Sequence, residues 1–283
     1  MQEGKPSTTA HRVAQRRAAH QLLDRPLVFE DPLAVRIAGA EDPARRDLRA
    51  FDSSRLSKAL RAFFAARSRF AEDQLSAAVN RGVDQYVVLG AGLDTFAYRS
   101  PFPALRVFEV DFPATQTWKR SELARAGIPI PAALTFVPAD FEHVSLPAAL
   151  ASSGFDGSKP AWFSWLGVTM YLARDTVMQT LAFIAALPAG SGVVFDYGVD
   201  PATLGPMERY VLDRFAERVA AAGEPWITGF DPAILSEELR RLGFTTVEDL
   251  GQNEINAKYF SGREDGLGVG SLGRIASASR GRD

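Results

Sequence analysis

The chain runs to 283 residues, 46% hydrophobic and 23% charged, the composition of a globular protein with enough length to bury a large core. A formal net charge of -2 gives no electrostatic reason to expect nucleic acid or an anionic membrane as a partner, so a small molecule is the expected one. The absence of cysteine excludes disulfides, thiolate catalysis and metal sites built on sulfur, and no metal is expected.

The N-terminal stretch MQEGKPSTTAHRVAQRRAAHQLLDRPLVFE lacks the continuous apolar core of a secretory signal. No window approaches the roughly 18 apolar residues of a membrane span, which points to the cytoplasm. Residues 10 to 75 carry helical spacing and many Arg and Ala. Within them VFEDPLAVRIAG and LSKALRAFFAARSRFAEDQLSAAVNRG each end at a glycine, as helix C-termini often do, and predict helices laid before the main fold.

From Gln85 the period changes. QYVVLG, LRVFEV, LTFVPA, AWFSWL and GVVFDYG are short apolar runs with little alternation, which suits strands buried on both faces of a parallel sheet. Between the last two runs, Val177, Leu181 and Ile184 mark one face of a helix that starts near Asp175 and must stop by Pro188. Strand, helix and strand in this order imply right-handed crossovers and an α/β fold, an open and mostly parallel sheet with helices on both faces. Residues 199 to 230 form an insertion around the helical MERYVLDRFAERVAAAG. DPAILSEELRRLGF predicts a helix with Pro232 at its first position and Gly243 at its stop. TTVEDLG and, after a polar loop, SLGRIASAS read as two strands with no helix between them, an antiparallel hairpin at one sheet edge, and SRGRD as a frayed tail.

The stretch YVVLGAGLDTFAYR carries the chemistry. In a parallel sheet, ligands bind outside the carboxyl ends of the strands where strand order reverses, and Gly90, Ala91 and Gly92 follow the first strand. A dinucleotide fingerprint needs a third glycine where Thr95 stands, and Asp94 repels phosphate while tolerating a cation such as a sulfonium. The second strand ends in Glu109 and Asp111, 19 and 21 residues beyond Gly90, where a carboxylate can accept hydrogen bonds from ribose hydroxyls. Asp140 follows the third strand, placed to hold an adenine amino group, with Phe141 against the ring. The plain alternative is that two glycines after an apolar run make only a tight turn.

VVLGAGLDTFAYR, VFEVDFPATQTWKR, VPADF and GVTMYL, in this order, resemble the leucine carboxyl methyltransferase family and its bacterial relatives that use S-adenosylmethionine. The likeness runs from about Thr9 to the last strand, and its most specific part is LGAGLDT followed by EVDFP. It implies a class I methyltransferase fold, Rossmann-like, with a seven-stranded sheet and extra N-terminal helices closing over the cofactor. It implies that Gly90 lines the cofactor pocket, Asp111 holds the ribose, Asp140 and Phe141 contact adenine, and Arg67 pairs with the cofactor's carboxylate. Arg69 is the alternative to Arg67, and a second basic residue is expected from Arg12 or Arg17. The family commonly has a glutamate where this chain has Leu166, a replacement that removes one polar contact to the cofactor and favours a small, less polar acceptor.

The expected organisation is a single methyltransferase domain over 1–283, with an N-terminal helical lid at 1–82, a cofactor-binding core at 83–198, a lid or acceptor insertion at 199–230, and the last helix and edge hairpin at 231–283. Methyl transfer from a sulfonium is an in-line displacement that asks for alignment and a dry site. A carboxylate acceptor needs no base, whereas a hydroxyl needs one, for which His143, Tyr171, Tyr197 and Asp196 are the candidates near strand ends. Tyr210, Phe215 and Trp226 of the insertion offer aromatic surface for an acceptor. The expected activity is O-methylation of a small-molecule carboxylate or hydroxyl. A nicotinamide-dependent dehydrogenase and a non-catalytic S-adenosylmethionine-binding protein are the alternatives.

Overall fold

The computed structural model describes residues 8–41, 51, 54–140, 144–221 and 225–281. In chain order these form α1 (Thr8–Leu23), the single turn α2 (Ala34–Ile37), α3 (Arg55–Asn80), β1 (Gln85–Leu89), β2 (Arg106–Asp111), α4 (Pro113–Arg125), β3 (Leu134–Pro138) and α5 (Leu146–Ser152). They continue with β4 (Trp162–Trp165), α6 (Arg174–Ala186), β5 (Gly192–Gly198), α7 (Pro206–Ala221), α8 (Pro232–Arg241), β6 (Thr246–Leu250), α9 (Gln252–Tyr259) and β7 (Gly273–Ser279).

The seven strands form one sheet in the order β3-β2-β1-β4-β5-β7-β6. All neighbours from β3 to β5 pair in parallel, and β7 runs antiparallel to both β5 and β6. Every residue of β1, β4 and β5 is buried, the consequence of helices covering both faces. Alternation divides β1 between two apolar layers. Tyr86 and Val88 pack with Phe70 and Leu75 of α3, while Val87 and Leu89 pack with Val177 and Leu181 of α6 and Leu235 of α8. A smaller cluster joins Ala14 and Ala18 of α1 to Ile37, Leu93 and Leu123, and so seats the N-terminal helices beside the carboxyl ends of the strands.

Local chemistry sets the helix ends. Ser54 caps α3 by accepting the Ser57 N–H at 3.1 Å, and Asp231 caps α8 by accepting from Ala233 and Ile234 at 2.8 and 3.1 Å, with Pro232 following it. Gly243 takes φ +106 just past the end of α8, which stops that helix where expected.

Three expectations need correction. The helix in VFEDPLAVRIAG shrinks to the single turn α2, with Asp31 ahead of it turned inside the protein toward Arg17 and Thr95. The polar segment between the last two strands contains α9, whose one buried residue is Ile255, while the strands themselves form the expected antiparallel pair at one edge of the sheet, with β6 outermost. The tail is tied as far as Gly281. Arg280 donates to the Ala185 and Leu187 carbonyls at 3.1 and 3.0 Å, and the Gly281 N–H donates to Thr245 Oγ1 at 2.6 Å. Among the described residues no helix is long and apolar enough to cross a membrane.

Candidate functional site

A cavity of about 660 Å³ opens at the carboxyl ends of β1, β2, β3 and β4, beside the point between β1 and β4 where strand order reverses. Residues from Gly90 to Asp94 form one wall, and Thr9, Val13 and Arg17 of α1 with Arg67 and Ser68 of α3 face it. Gly90 and Gly92 take φ +65 and +44. A Cβ on Gly90 would lie 2.3 Å from Val168 Cγ2, so the absence of a side chain lets β1 and the loop after β4 approach.

Asp111 is buried and lines the cavity, its carboxylate accepting the N–H groups of Gly92 at 2.6 Å and Phe112 at 2.7 Å. Burial pushes this carboxyl above its ordinary value, against the pull of those two donors. Asp94 also lines the cavity, and its Oδ1 accepts the Phe96 N–H at 2.8 Å. Asp140 is half-buried in the same wall. Phe141 and His143 lie outside the described residues.

Glu109 is placed differently from its expectation. It shares a strand face with Asp111 but stands one pleat deeper, outside the cavity lining, where Lys119 Nζ of α4 approaches to 2.7 Å and the Tyr98 hydroxyl to 3.3 Å. Burial pushes its carboxyl up to about 7 against the attraction of Lys119.

Arg67 and Arg69 separate cleanly. Two residues apart on α3 they point about 200° apart. Arg67 is buried, lines the cavity and sits 4.5 Å over the Phe64 ring, whereas Arg69 is exposed and paired with Asp73 at 2.8 Å. The Arg67 guanidinium is ion-paired with Asp196 of β5, whose other oxygen accepts the Gly167 N–H. Leu166 faces the cavity beside Gly167, so the carboxylate in this neighbourhood comes from β5 rather than from position 166. Arg17 lines the cavity and donates to Thr95 Oγ1 at 2.7 Å, to the Leu93 carbonyl at 3.3 Å and to Asp31. Arg12 is exposed and borders a second cavity instead.

That second cavity, of about 240 Å³, adjoins the first and shares Thr9, Val13, Arg67, Gly167 and Tyr171 with it. Tyr171 stands at the junction. Tyr197 and Trp226 border only the smaller space, and the Tyr197 hydroxyl donates to Asp249 at 2.5 Å. Burial, then Asp249, push that phenol above its ordinary value, and a group so placed is no base. Asp196 is likewise committed, to Arg67 and Gly167. Of the insertion's aromatics, Trp226 reaches a cavity, Tyr210 is exposed, and the Phe215 side chain lies outside the described residues.

Several supporting residues left no sequence signal because their partners are distant. Asp31 and Thr95 lock Arg17 beneath the glycine loop, and Arg99 pairs with Glu72 of α3 on its far side. His20 Nδ1 is hydrogen-bonded to Asp24 at 2.7 Å while Nε2 accepts the N–H groups of Val28 and Phe29 at 3.2 Å. Asp24 in turn holds Arg61 of α3 at 2.8 Å and fastens α1 to that helix.

The sequence and fold have clear relatives. The family model for leucine carboxyl methyltransferase matches residues 10–185. The candidate S-adenosyl-L-methionine-dependent methyltransferase YktD of Bacillus subtilis is 36% identical, over 71% of this chain and 67% of that one. A protein of the same description from Mycobacterium bovis BCG is 30% identical, over 90% of both chains. The crystal structure of a candidate methyltransferase from Thermobifida fusca covers 99% of this chain and 97% of its own at a TM-score of 0.59 and 20% identity, a likeness of fold. The strand order with its antiparallel β7 is that of class I methyltransferases, and by the family match and the identity to YktD the chain belongs to the leucine carboxyl methyltransferase family.

Proposed function

We propose that the chain is an S-adenosyl-L-methionine-dependent methyltransferase that transfers the methyl group to an oxygen of a small-molecule carboxylate or hydroxyl. The observation that carries the cofactor is the charge of the larger cavity. Three carboxylates, Asp94, Asp111 and Asp140, line it with two guanidiniums, Arg17 and Arg67, for a net charge of -1 when all are ionised. S-adenosylmethionine carries a net positive charge and fits that lining, whereas a nicotinamide dinucleotide would bring a pyrophosphate against three acids. The curated relatives' names and the family description support the same reading.

In this reading Asp111 accepts the ribose hydroxyls with the lone pairs its two N–H donors leave free, and Asp140 accepts from the adenine amino group. Arg67 shares its guanidinium between Asp196 and the methionyl carboxylate, with Arg17 as the second cation. The cofactor supplies an electrophilic methyl group. The chain contributes alignment and the exclusion of water at the junction beside Tyr171 and Gly167.

Titration calorimetry with S-adenosylhomocysteine on the wild type and Asp111→Ala tests the assignment. The variant should bind more weakly by about 1–3 kcal/mol, the cost of removing one buried hydrogen-bonding partner. Undiminished affinity would refute the ribose assignment, and binding of NADH in place of S-adenosylhomocysteine would refute the cofactor.

A further inference from the structure

The smaller cavity has the opposite charge to its neighbour. Three guanidiniums, Arg12, Arg16 and Arg67, line it with a single carboxylate, Asp196, and Asp196 is already paired with Arg67. Arg12 and Arg16 therefore face the space with no carboxylate in its lining beyond the one that Arg67 holds. Arg16 is the more constrained. Its Nε is buried with no hydrogen-bond partner among the described residues, and its guanidinium lies 5.4 Å from the Phe51 ring centre and 5.8 Å from that of Phe64. Burial, and then the like charge of Arg12, pull its pKa down to about 10, so it stays protonated at neutral pH, with no carboxylate paired to it among the described residues.

The remaining lining is mostly apolar and includes five aromatic rings, those of Phe63, Phe64, Tyr171, Tyr197 and Trp226. At about 30 Å³ per water, 240 Å³ corresponds to about eight waters, room for a small ring system. A planar anion matches a guanidinium fork, and aromatic walls match a planar ring.

We propose that the smaller cavity is the acceptor subsite, that it takes an aromatic carboxylate, and that Arg16 with Arg12 supplies the charge that selects it. The proposal rests on the larger cavity holding S-adenosylmethionine. A lone pair on the carboxylate oxygen forms the new O–C bond to the methyl carbon. The C–S bond breaks with its electrons going to sulfur, which becomes a neutral thioether, and no proton is moved. The ester formed is neutral, so the guanidiniums lose their partner at the moment of transfer and the product is released.

The test uses the full chain saturated with S-adenosylhomocysteine, titrated calorimetrically with 1-naphthoate and with methyl 1-naphthoate. The acid should bind at least about tenfold more tightly than the ester, equivalent to about 1.4 kcal/mol. Arg16→Gln should erase that preference while leaving the ester's affinity and that of S-adenosylhomocysteine unchanged. Arg12→Gln, at an exposed position, should reduce the preference in the same direction and guards against misfolding of the first variant. Equal binding of acid and ester, no binding of the acid, or a preference that survives both substitutions overturns the acceptor subsite while leaving the cofactor reading intact. Failure to bind S-adenosylhomocysteine in the wild type overturns the cofactor reading itself.

Discussion

Gly90→Ala isolates what the glycine loop requires. The residue has φ +65, a left-handed conformation that costs a residue with a Cβ about 1–2 kcal/mol. The new Cβ would also stand 2.3 Å from Val168 Cγ2, a separation that forces the Val168 side chain or a backbone to shift. Overpacking of this kind costs about 1–3 kcal/mol, so the substitution should destabilise the fold by about 2–5 kcal/mol in total. Because the two parts have different origins they can be separated. In Gly90→Ala/Val168→Ala the overlapping γ-methyl is gone, so only the left-handed strain should remain. A double-mutant cycle by urea denaturation should return a coupling energy of about 1–3 kcal/mol. S-adenosylhomocysteine affinity should recover in the double variant along with stability. Additivity of the two substitutions within about 0.5 kcal/mol would refute the steric argument.

Two further outcomes follow from the site. Tyr197→Phe deletes the donor to Asp249 and should cost about 1–3 kcal/mol of stability in urea denaturation, while S-adenosylhomocysteine affinity is unchanged; a loss of cofactor binding instead would contradict the position of its hydroxyl. Glu109, pushed up to about 7 by burial, keeps its proton in the folded chain after the unfolded chain has lost it. Its contribution to stability is therefore complete below the ordinary carboxyl range, near pH 4.5, and is lost as pH rises toward 7. Glu109→Gln should flatten the fall in denaturation free energy across that window, and an unchanged slope would assign the pH dependence to other groups.

Most of the architecture was legible because it is written in apolar runs. QYVVL, WFSW and GVVFDYG are buried end to end, and such sequences have few other places to go than the middle of a parallel sheet. The helix α9 was not legible, since QNEINAKY buries only Ile255 and reads as loop. Its N-terminus is set by Glu254, which reaches back to accept the Gly251 N–H at 2.9 Å. The glycines and the strand-end acids pointed to the larger cavity, but the pattern EVD could not tell Asp111 from Glu109. They share a face, and only the arrival of Lys119 from α4 decides which one is sequestered. The same limit applied to Arg16, whose neighbours in the smaller cavity come from five stretches of chain separated from its own. Arg17, adjacent in sequence, faces another cavity altogether.

The position of β7 sets an order of assembly. It is the last of the sheet's seven strands in chain order, yet it pairs with β5 over seven residues and is the strand against which β6 lies. While the chain emerges from the ribosome, β1 to β5 can pair among themselves and form the glycine loop with Asp111 and Asp140. Throughout that interval β5 presents an open edge that includes Asp196 and Tyr197, whose later partners in the ladder are Ile275 and Arg274. The wall of the smaller cavity is therefore finished after the larger one, and a nascent chain stalled short of Gly273 would carry an unpaired strand edge, the state most exposed to aggregation.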